Sequence, residues 1–372
     1  MITKKTVSES KSTQRKKTQI HVLPAYHGDC LIVKTFDHEG NDFNILIDGG
    51  TAKTFDTPLK LIIKNLPFID IVVLTHIDSD HIGGLIKFVK SDSFNADKIG
   101  QYWFNSKNIK FISAGENISY EQAKTFEQLL IDKGAIKNKW SDDVYVGKMP
   151  SLPQGLEIEV LSPTNEVLTK LNEHWPEISD DYKDKLQDIT ISGIKPSQLG
   201  RGKLEDLALA DDTPDKTILA DLANSSSIAF VLRTPDLSIL LLGDSHPCLI
   251  QQSMRMADYS TEKKLKVDIV KVSHHGSKNN TTNDVLDMIE CDRFIISTNG
   301  GNSKHTHPDR ETIARIIHHP ERTRLKYPST RKIYLNYPIA TVEEKAGKLL
   351  DKEDFTTGNW ELIDSANLLE HE

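Results

Sequence analysis

Hydrophobic and polar positions follow a strand pattern over the first 50 residues of the chain. Three β-rich runs, IHVL, CLIVKTF and FNILI, are separated by His27-Gly28-Asp29 and by the segment 39–42, both rich in turn-forming residues. Short runs of β-branched residues between such turns are typical of strands. We therefore predict an antiparallel meander that ends at Asp48-Gly49-Gly50.

Beyond residue 57 the pattern changes to alternating helices and strands. PLKLIIKNL and IGGLIKFVK have helical spacing, while IDIVVLT between them is a nearly continuous apolar run suited to a buried strand. A second round begins at LEIEVLSP and resumes with SIAFVLRT, LSILLLGD, VDIVKVS, RFIIST and RKIYLNY. Since both halves place strands first and alternate helix with strand afterwards, the pattern predicts an α/β fold, an αββα sandwich of two similar halves with mixed sheets.

The same pattern suggests three regions. Residues 1–19 are basic and polar and are predicted to be a disordered N-terminal tail. Residues 20–336 form one predicted domain, interrupted at about 164–223 by a polar insertion that is expected to be a partly helical surface excursion. Residues 337–372 are predicted to be an acidic C-terminal extension.

Composition narrows the class of protein. The 372 residues have a net charge of −8 and contain three widely spaced cysteines. No apolar run approaches the roughly 18 residues of a membrane span, and the cysteines form neither a disulfide framework nor a CxxC pattern. We expect a cytoplasmic protein without a membrane segment, and the acidic balance argues against a wholly basic nucleic-acid-binding surface.

Four polar clusters follow predicted strands, where sites of α/β proteins usually lie. The first is the segment His76 to His81, HIDSDH, which offers two imidazoles and two carboxylates within six residues. The others contain Asp244 in LLLGDSH, His274 and His275 in VSHHGS, and His307 in KHTHP. Because such groups are costly to bury unpaired and together suit zinc, manganese or iron, the pattern predicts a metal site.

These motifs, with Asp48-Gly49-Gly50 upstream, resemble those of the metallo-β-lactamase superfamily, and most of all the hydrolase domain of ComEC-type competence proteins. The resemblance covers roughly residues 20–335. It implies two divalent ions, Zn²⁺ or Mn²⁺, with His76 and Asp78 on one and Asp80 and His81 on the other. Asp244 would bridge both, and either His274 or His275 would complete the second site.

One position departs from the superfamily pattern. Many members carry a further histidine on the strand before the bridging aspartate, whereas this chain reads DLANSSSIAFVL there, with Asn224 and three serines. His174 in the insertion is a possible substitute, and the first metal site is expected to be weaker or to prefer manganese.

Further residues are predicted to support the site. Asp48 is expected to orient a ligand histidine. Asp80 and His307 are the predicted catalytic residues, His307 by contacting substrate or protonating the leaving group, with His305 as a weaker candidate. Asn224, Ser277 and Lys278 are predicted to lie around the metals or to contact substrate, and Asn279 and Asn280 could donate to phosphate.

The leading functional hypothesis is a metal-dependent phosphodiesterase, a nuclease in which a metal-bridging hydroxide is the nucleophile. Nucleic acid would then be the substrate. A hydrolase of a small phosphoester, thioester, lactone or lactam is the first alternative, and a non-catalytic binding or regulatory protein on a degenerate hydrolase fold is the second. A protein partner on the insertion or the acidic tail is a further hypothesis.

Overall fold

Two β-sheets form the centre of the protein in the computed structural model, which describes residues 16–105, 126–135, 143–173, 198–302 and 306–370. One sheet has the strand order β15-β1-β2-β3-β4-β5 and the other β14-β13-β12-β10-β8-β7-β6, while β9 and β11 pair separately. The strands are β1 Gln19–Val22, β2 Leu31–Phe36, β3 Asp42–Ile47, β4 Ile69–Val73, β5 Ile99–Trp103, β6 Glu157–Ser162, β7 Ala229–Arg233, β8 Ser238–Leu241, β9 Leu265–Lys266, β10 Ile269–Lys271, β11 Ile289–Glu290, β12 Arg293–Ile296, β13 Arg331–Leu335, β14 Trp360–Ile363 and β15 Leu368–Glu370.

Helices cover the outer faces of the sheets. The α-helices are α1 Ala52–Thr54, α2 Lys60–Lys64, α3 Ser79–Lys90, α4 Asn165–Glu173, α5 Leu204–Leu207, α6 Leu222–Ser225, α7 Pro247–Met256, α8 Asn283–Asp287, α9 Arg310–His318, α10 Pro320–Arg324 and α11 Ile339–Ala346. A π-helical stretch, Phe55–Leu59, joins α1 to α2, and residues 126–132 are also helical. Short 3₁₀ turns span Ala96–Lys98, Gln198–Arg201, Leu219–Asp221, Ser273–Gly276 and Glu353–Phe355. None of the described helices is long and apolar enough to span a bilayer.

Both sheets change from antiparallel to parallel pairing in the same way. Strands β1, β2 and β3 form an antiparallel meander, after which β3, β4 and β5 are parallel. In the second sheet β6, β7 and β8 are antiparallel, and β8, β10, β12, β13 and β14 are parallel. The predicted α/β sandwich with mixed sheets is confirmed.

The hydrophobic core lies in three layers. Between the sheets, Ile71 and Val73 of β4 belong to one buried cluster with Phe230 of β7. Val72 points to the opposite face and belongs to a second cluster, beneath α3. A third cluster lies under α9. Because β4 is buried on both faces from Ile71 onward, its sequence is apolar there without alternation, and Asp70 is its one polar residue.

The predicted insertion is partly helical where it is described. Helix α4 buries Val167 and Leu171 in the cluster beneath α3, and α5 buries Leu204 and Leu207 in the cluster under α9. Residues 174–197, which include His174, lie outside the described residues. These two helices are therefore packed against the domain.

The chain ends of the predicted domain need correction. Residues 337–372 are not a separate extension, because β14 pairs with β13 in one sheet and β15 pairs with β1 in the other. At the other end, the predicted tail lies mainly outside the described residues, but Thr18 is already buried and Gln19 belongs to β1.

Candidate metal centre

The predicted site residues meet at the carboxyl ends of strands from both sheets. Asp48 directly follows β3, and His76 lies three residues after β4. In the second sheet Asp244 follows β8 and His274 follows β10. Since β3 and β4 are parallel, as are β8 and β10, their carboxyl ends lie side by side and bring these four residues to one place.

The segment HIDSDH runs from the end of β4 into the first turn of α3. Asp78 is the residue before the helix, in extended conformation, and Asp80 and His81 follow within the first turn. His76 and His81 are buried, and their rings lie 4.2 Å apart between centroids. The change from strand to helix therefore turns ligand groups that are neighbours in sequence toward a common point.

That point is one carboxylate oxygen of Asp244. Its Oδ2 lies 3.9 Å from His76 Nε2, 3.5 Å from His81 Nε2, 3.8 Å from His274 Nε2 and 3.6 Å from His275 Nε2. Asp244 is itself buried. Four imidazole nitrogens thus surround a single buried carboxylate oxygen.

Hydrogen bonds determine which nitrogen His81 and His76 present to the centre. His81 Nδ1 donates to Asp48 Oδ2 at 2.8 Å, and the Thr75 hydroxyl donates to the same carboxylate at 2.7 Å. Since the Thr75 hydrogen is used in that bond, its oxygen accepts from His76 Nδ1, 3.1 Å away. Both histidines therefore carry their proton on Nδ1 and direct the lone pair of Nε2 toward Asp244.

His274 and His275 are oriented in the same way. Asn280 Nδ2 donates to the backbone carbonyls of Asp244 and Ser245, which leaves its Oδ1 to accept from His274 Nδ1 at 3.1 Å. His275 Nδ1 donates to the Ser297 carbonyl at 2.9 Å. All four histidines thus have Nε2 available as a ligand atom.

Asp29 is a buried acidic residue beside the centre that sequence reasoning missed. Its Oδ2 accepts from the buried Lys271 ammonium, and its Oδ1 lies 3.4 Å from His275 Nδ1. The Asp29 amide donates to the Asp80 carbonyl at 3.3 Å. Asp29 therefore connects the second sheet to the first turn of α3, which carries Asp80, and His275 Nε2 lies 3.6 Å from Asp80 Oδ2.

The donor set fits a cation. Within the described part of the chain, His76 Nε2, His81 Nε2 and His275 Nε2 are buried and make no hydrogen bond. Ligand atoms of Asp29, His81, Asp244 and His275 all lie within 4.8 Å of one another. Buried polar atoms without partners are costly, and a divalent ion bound by imidazole and carboxylate would satisfy them.

The charges also fit a cation. Burial lowers the pKa of His275, but the carboxylates of Asp244, Asp29 and Asp80 outweigh burial and raise this pKa to about 10. The pKa of His81 is raised well above its usual value by Asp244 and Asp48, again against burial. The pKa of Asp244 is held well below its usual value because the nearby histidines outweigh its burial. The cluster is thus anionic enough to draw positive charge onto its histidines, and a metal ion would replace those protons.

His307 lies next to His274, and Lys278 follows the HHGS segment in sequence. The His307 ring centroid is 5.1 Å from that of His274, and its Nδ1 is 3.5 Å from Asp309 Oδ2. The Lys278 amide donates to Asp309, while its ammonium is 3.9 Å from Glu311. His305 lies outside the described residues. The His307 ring therefore lies beside a histidine of the candidate metal centre.

Three of the residues predicted to lie around the metals or to contact phosphate make hydrogen bonds within the chain. Asn280 holds His274 in place. The Ser277 hydroxyl accepts from the Asn279 amide, and Asn224 Nδ2 donates to Asp221. Asp29, Thr75 and Asn280 were not predicted in these roles, since only the turn around Asp29 and the polar run after HHGS marked their positions in sequence.

Comparison with known proteins adds an independent finding. The model of the metallo-beta-lactamase superfamily matches residues 24–155, which include Asp48 and the segment from His76 to His81. A curated relative, ComE operon protein 3 of Bacillus subtilis (strain 168), is 27% identical over 140 residues, which is 36% of this chain and 17% of the relative. The chain thus matches only a small part of that relative's length.

Solved structures with similarity include Igni18, a novel metallo hydrolase from the hyperthermophilic archaeon Ignicoccus hospitalis, at 11% identity and a TM-score of 0.35, covering 96% of this chain and 99% of that one. A long form RNase Z from yeast is 14% identical with a TM-score of 0.36, covering 98% of this chain and 42% of that one. The match of the family model to residues 24–155 supports the resemblance to the metallo-beta-lactamase superfamily that the sequence motifs indicate.

Proposed function

We propose that this protein is a metal-dependent phosphodiesterase that cleaves nucleic acid with two divalent cations, Zn²⁺ or Mn²⁺. The observation that carries the proposal is the convergence of four histidine Nε2 atoms, 3.5 to 3.9 Å away, on Asp244 Oδ2. A buried carboxylate among several imidazoles is suited to bridge two ions. The superfamily match supports the broader class, a metal-dependent hydrolase.

The side chains divide into two ligand sets that share Asp244. Asp80, His81 and His275 form the second set, since His275 Nε2 is 3.6 Å from Asp80 Oδ2 and from Asp244 Oδ2. His76 and Asp78 form the first set, with 3.8 Å between His76 Nε2 and Asp78 Oδ2. Carboxylate oxygens contribute to both sets, a composition that manganese tolerates as well as zinc.

When bound, two divalent ions lower the pKa of water and neutralise the charge that develops on a phosphoryl group. The residues of the chain would contribute position and proton transfer. Asp48 and Asp29 hold His81 and His275. His307, beside His274 and in contact with Asp309, is the candidate to protonate the leaving oxygen. No serine or cysteine nucleophile is required by this arrangement.

The resemblance of the motifs to the ComEC-type hydrolase domain supports nucleic acid as the substrate. The net charge of −8 means that contacts to a polyanion would have to come from local groups and from the cations themselves. Two candidates for phosphate contacts are His307, whose ring lies beside that of His274, and Lys278, which follows the HHGS segment.

The proposal is tested by measuring hydrolysis of bis-p-nitrophenyl phosphate and of labelled single-stranded DNA, double-stranded DNA and RNA. The full chain is stripped of metal and reloaded with Mn²⁺ or Zn²⁺. Asp80→Ala and Asp244→Ala are expected to lower the rate by more than about 100-fold, since loss of an outer partner alone typically lowers activity 10–100-fold. Asp92→Ala, which removes an exposed carboxylate after α3, is the matched control.

Other outcomes of this assay identify the alternatives. Metal-loaded protein that cleaves no phosphodiester would contradict the proposal, and lactones, thioesters and small phosphoesters would then be tested. Protein that neither binds metal nor cleaves any of these substrates would favour a binding or regulatory role.

A further inference from the structure

We propose that His274 is the ligand that completes the first set, so that the adjacent histidines of the HHGS loop serve different cations. This inference rests on the two-cation centre of the proposed function. The second set already has four protein side chains, Asp80, His81, His275 and Asp244. The first set has only His76, Asp78 and Asp244. Many superfamily members carry a further histidine in the segment before the bridging aspartate. In that segment this chain has Ser227, whose hydroxyl lies 3.1 Å from His76 Nδ1.

The side chain of His274 has the geometry of a ligand. Its Nε2 lies 3.8 Å from Asp244 Oδ2, which matches the 3.9 Å of His76 Nε2. Its Nδ1 donates to Asn280 Oδ1, and the two Asn280 amide hydrogens are used by the carbonyls of Asp244 and Ser245. These bonds determine the orientation of the Asn280 amide. Because His274 then carries its proton on Nδ1, its lone pair is on Nε2 and is available to a cation.

The backbone of the loop explains how consecutive residues reach one carboxylate. Neighbouring side chains of an extended strand point to opposite faces. His274 and His275 instead have φ values of 47° and 53°, in the left-handed region that non-glycine residues rarely adopt. This conformation brings both Nε2 atoms within 3.8 Å of Asp244 Oδ2. Strained backbone of this kind is typical of functional sites.

The two histidines have different neighbours around Asp244. His275 contacts Asp80, and its ring is 5.4 Å from that of His81. The His274 ring lies beside that of His307 instead, with 5.1 Å between the centroids. His275 therefore belongs with the second set, and His274 is left as the histidine near Asp244 that can complete the first set.

Metal stoichiometry tests this assignment without an activity measurement. The full chain is stripped with a chelator, reloaded with Mn²⁺ or Zn²⁺, desalted and analysed by mass spectrometry for metal per chain. Wild type is expected to hold two equivalents, and His274→Ala and His76→Ala one each. Because His274 and His76 share a cation, the double variant His76→Ala/His274→Ala should still hold one. The variant His274→Ala/His275→Ala removes a ligand from both sets and should hold none.

Three results would overturn the assignment: two tight equivalents in His274→Ala, an empty His76→Ala/His274→Ala that is still folded, or a single equivalent in wild type. His307→Ala, whose ring lies beside His274, is the matched control and should keep two equivalents. Circular dichroism of each apo variant verifies folding. Wild type that binds two ions but cleaves no phosphodiester would contradict the proposed function and leave the ligand assignment intact.

Discussion

Asp48 can determine the orientation of a candidate metal ligand without contacting a cation itself. Its carboxylate accepts from the Thr75 amide, the Thr75 hydroxyl and His81 Nδ1, at 2.7 to 2.8 Å. Because the Asp48 carboxylate can only accept hydrogen bonds, all three of these groups donate to it. The proton of the neutral His81 ring is therefore held on Nδ1. The residue itself has a φ of 57°, which turns the chain directly after β3.

Replacement of Asp48 by asparagine should weaken metal binding. An asparagine amide presents donor hydrogens where His81 Nδ1 and Thr75 also donate, so the Nε2 lone pair of His81 would no longer be favoured. We expect the affinity for Mn²⁺ or Zn²⁺ to fall about 10–100-fold, measured by competition with a chromophoric chelator. Asp56→Asn changes an exposed aspartate on the following segment and should have no effect. An Asp48→Asn affinity within twofold of wild type would refute this role.

Candidate site residues could be predicted from the sequence where they lie close together in a recognisable motif. The segment from His76 to His81 concentrates four candidate ligand groups in one window. Asp48 was expected to orient a histidine, and its Oδ2 lies 2.8 Å from His81 Nδ1. Asp29 gave no such signal, because its partner Lys271 is 242 positions away in sequence. The choice between His274 and His275 also depended on backbone angles that no sequence pattern specifies.

At the scale of elements, the glycine pair in α3 explains how the helix approaches the first sheet. A Cβ on Gly84 would lie 1.9 Å from the Gly49 carbonyl oxygen, so the backbones are in direct contact. The Gly49 amide donates to the His81 carbonyl at 2.7 Å, and the Gly84 amide donates to the Gly50 carbonyl at 3.0 Å. Close packing of helix and loop thus places Asp48 within hydrogen-bonding distance of His81.

Gly84→Ala should therefore destabilise the protein, although alanine is favoured over glycine in a helix by up to about 1 kcal/mol. The added methyl group must push α3 away from Gly49, and such overpacking typically costs about 1–3 kcal/mol. We expect a lower free energy of unfolding in urea and weaker metal binding. Gly200→Ala, where no atom lies within 4 Å of the new methyl group, is the control. Increased stability of Gly84→Ala would contradict the packing argument.

Most elements were predictable from periodicity, and the exceptions have physical reasons. The nearly continuous apolar run of β4 and the helical spacing in α2 and α3 were recognised because each signal lies within one segment. Strands β14 and β15 were missed, since they are short and their partners β13 and β1 are distant in sequence. The acidic residues next to these strands in the sequence led to the prediction of a C-terminal extension instead of strands.

At the scale of the whole molecule, the C-terminal segment joins the two sheets. Strand β14 extends the second sheet, and β15 covers the edge of β1 in the first, with Leu369 buried between the sheets. The Arg293 guanidinium donates to the Glu370 carbonyl at 2.7 Å. The sandwich is therefore complete only with residues that the sequence pattern assigned to a tail.

A stop codon after Asp364 should destabilise the fold. It removes β15, exposes the edge of β1 and leaves the place of Leu369 empty, and loss of a buried leucine alone typically costs about 2–5 kcal/mol. Thermal denaturation should occur at a lower temperature, and size-exclusion chromatography should show association through the open edge. A stop codon after Glu370, which removes only two residues, should change neither. Equal stability of the two truncated chains would show that β15 is dispensable.

The central claim, that the histidines around Asp244 hold cations that drive phosphodiester hydrolysis, is tested most directly by titration. Metal-free protein is titrated with Mn²⁺ while bound metal and hydrolysis of bis-p-nitrophenyl phosphate are measured on the same samples, for wild type and Asp244→Asn. Activity should be absent without metal, reach its maximum as two equivalents bind, and be lost in Asp244→Asn. Full activity in metal-free protein, or none with two equivalents bound, would contradict the claim.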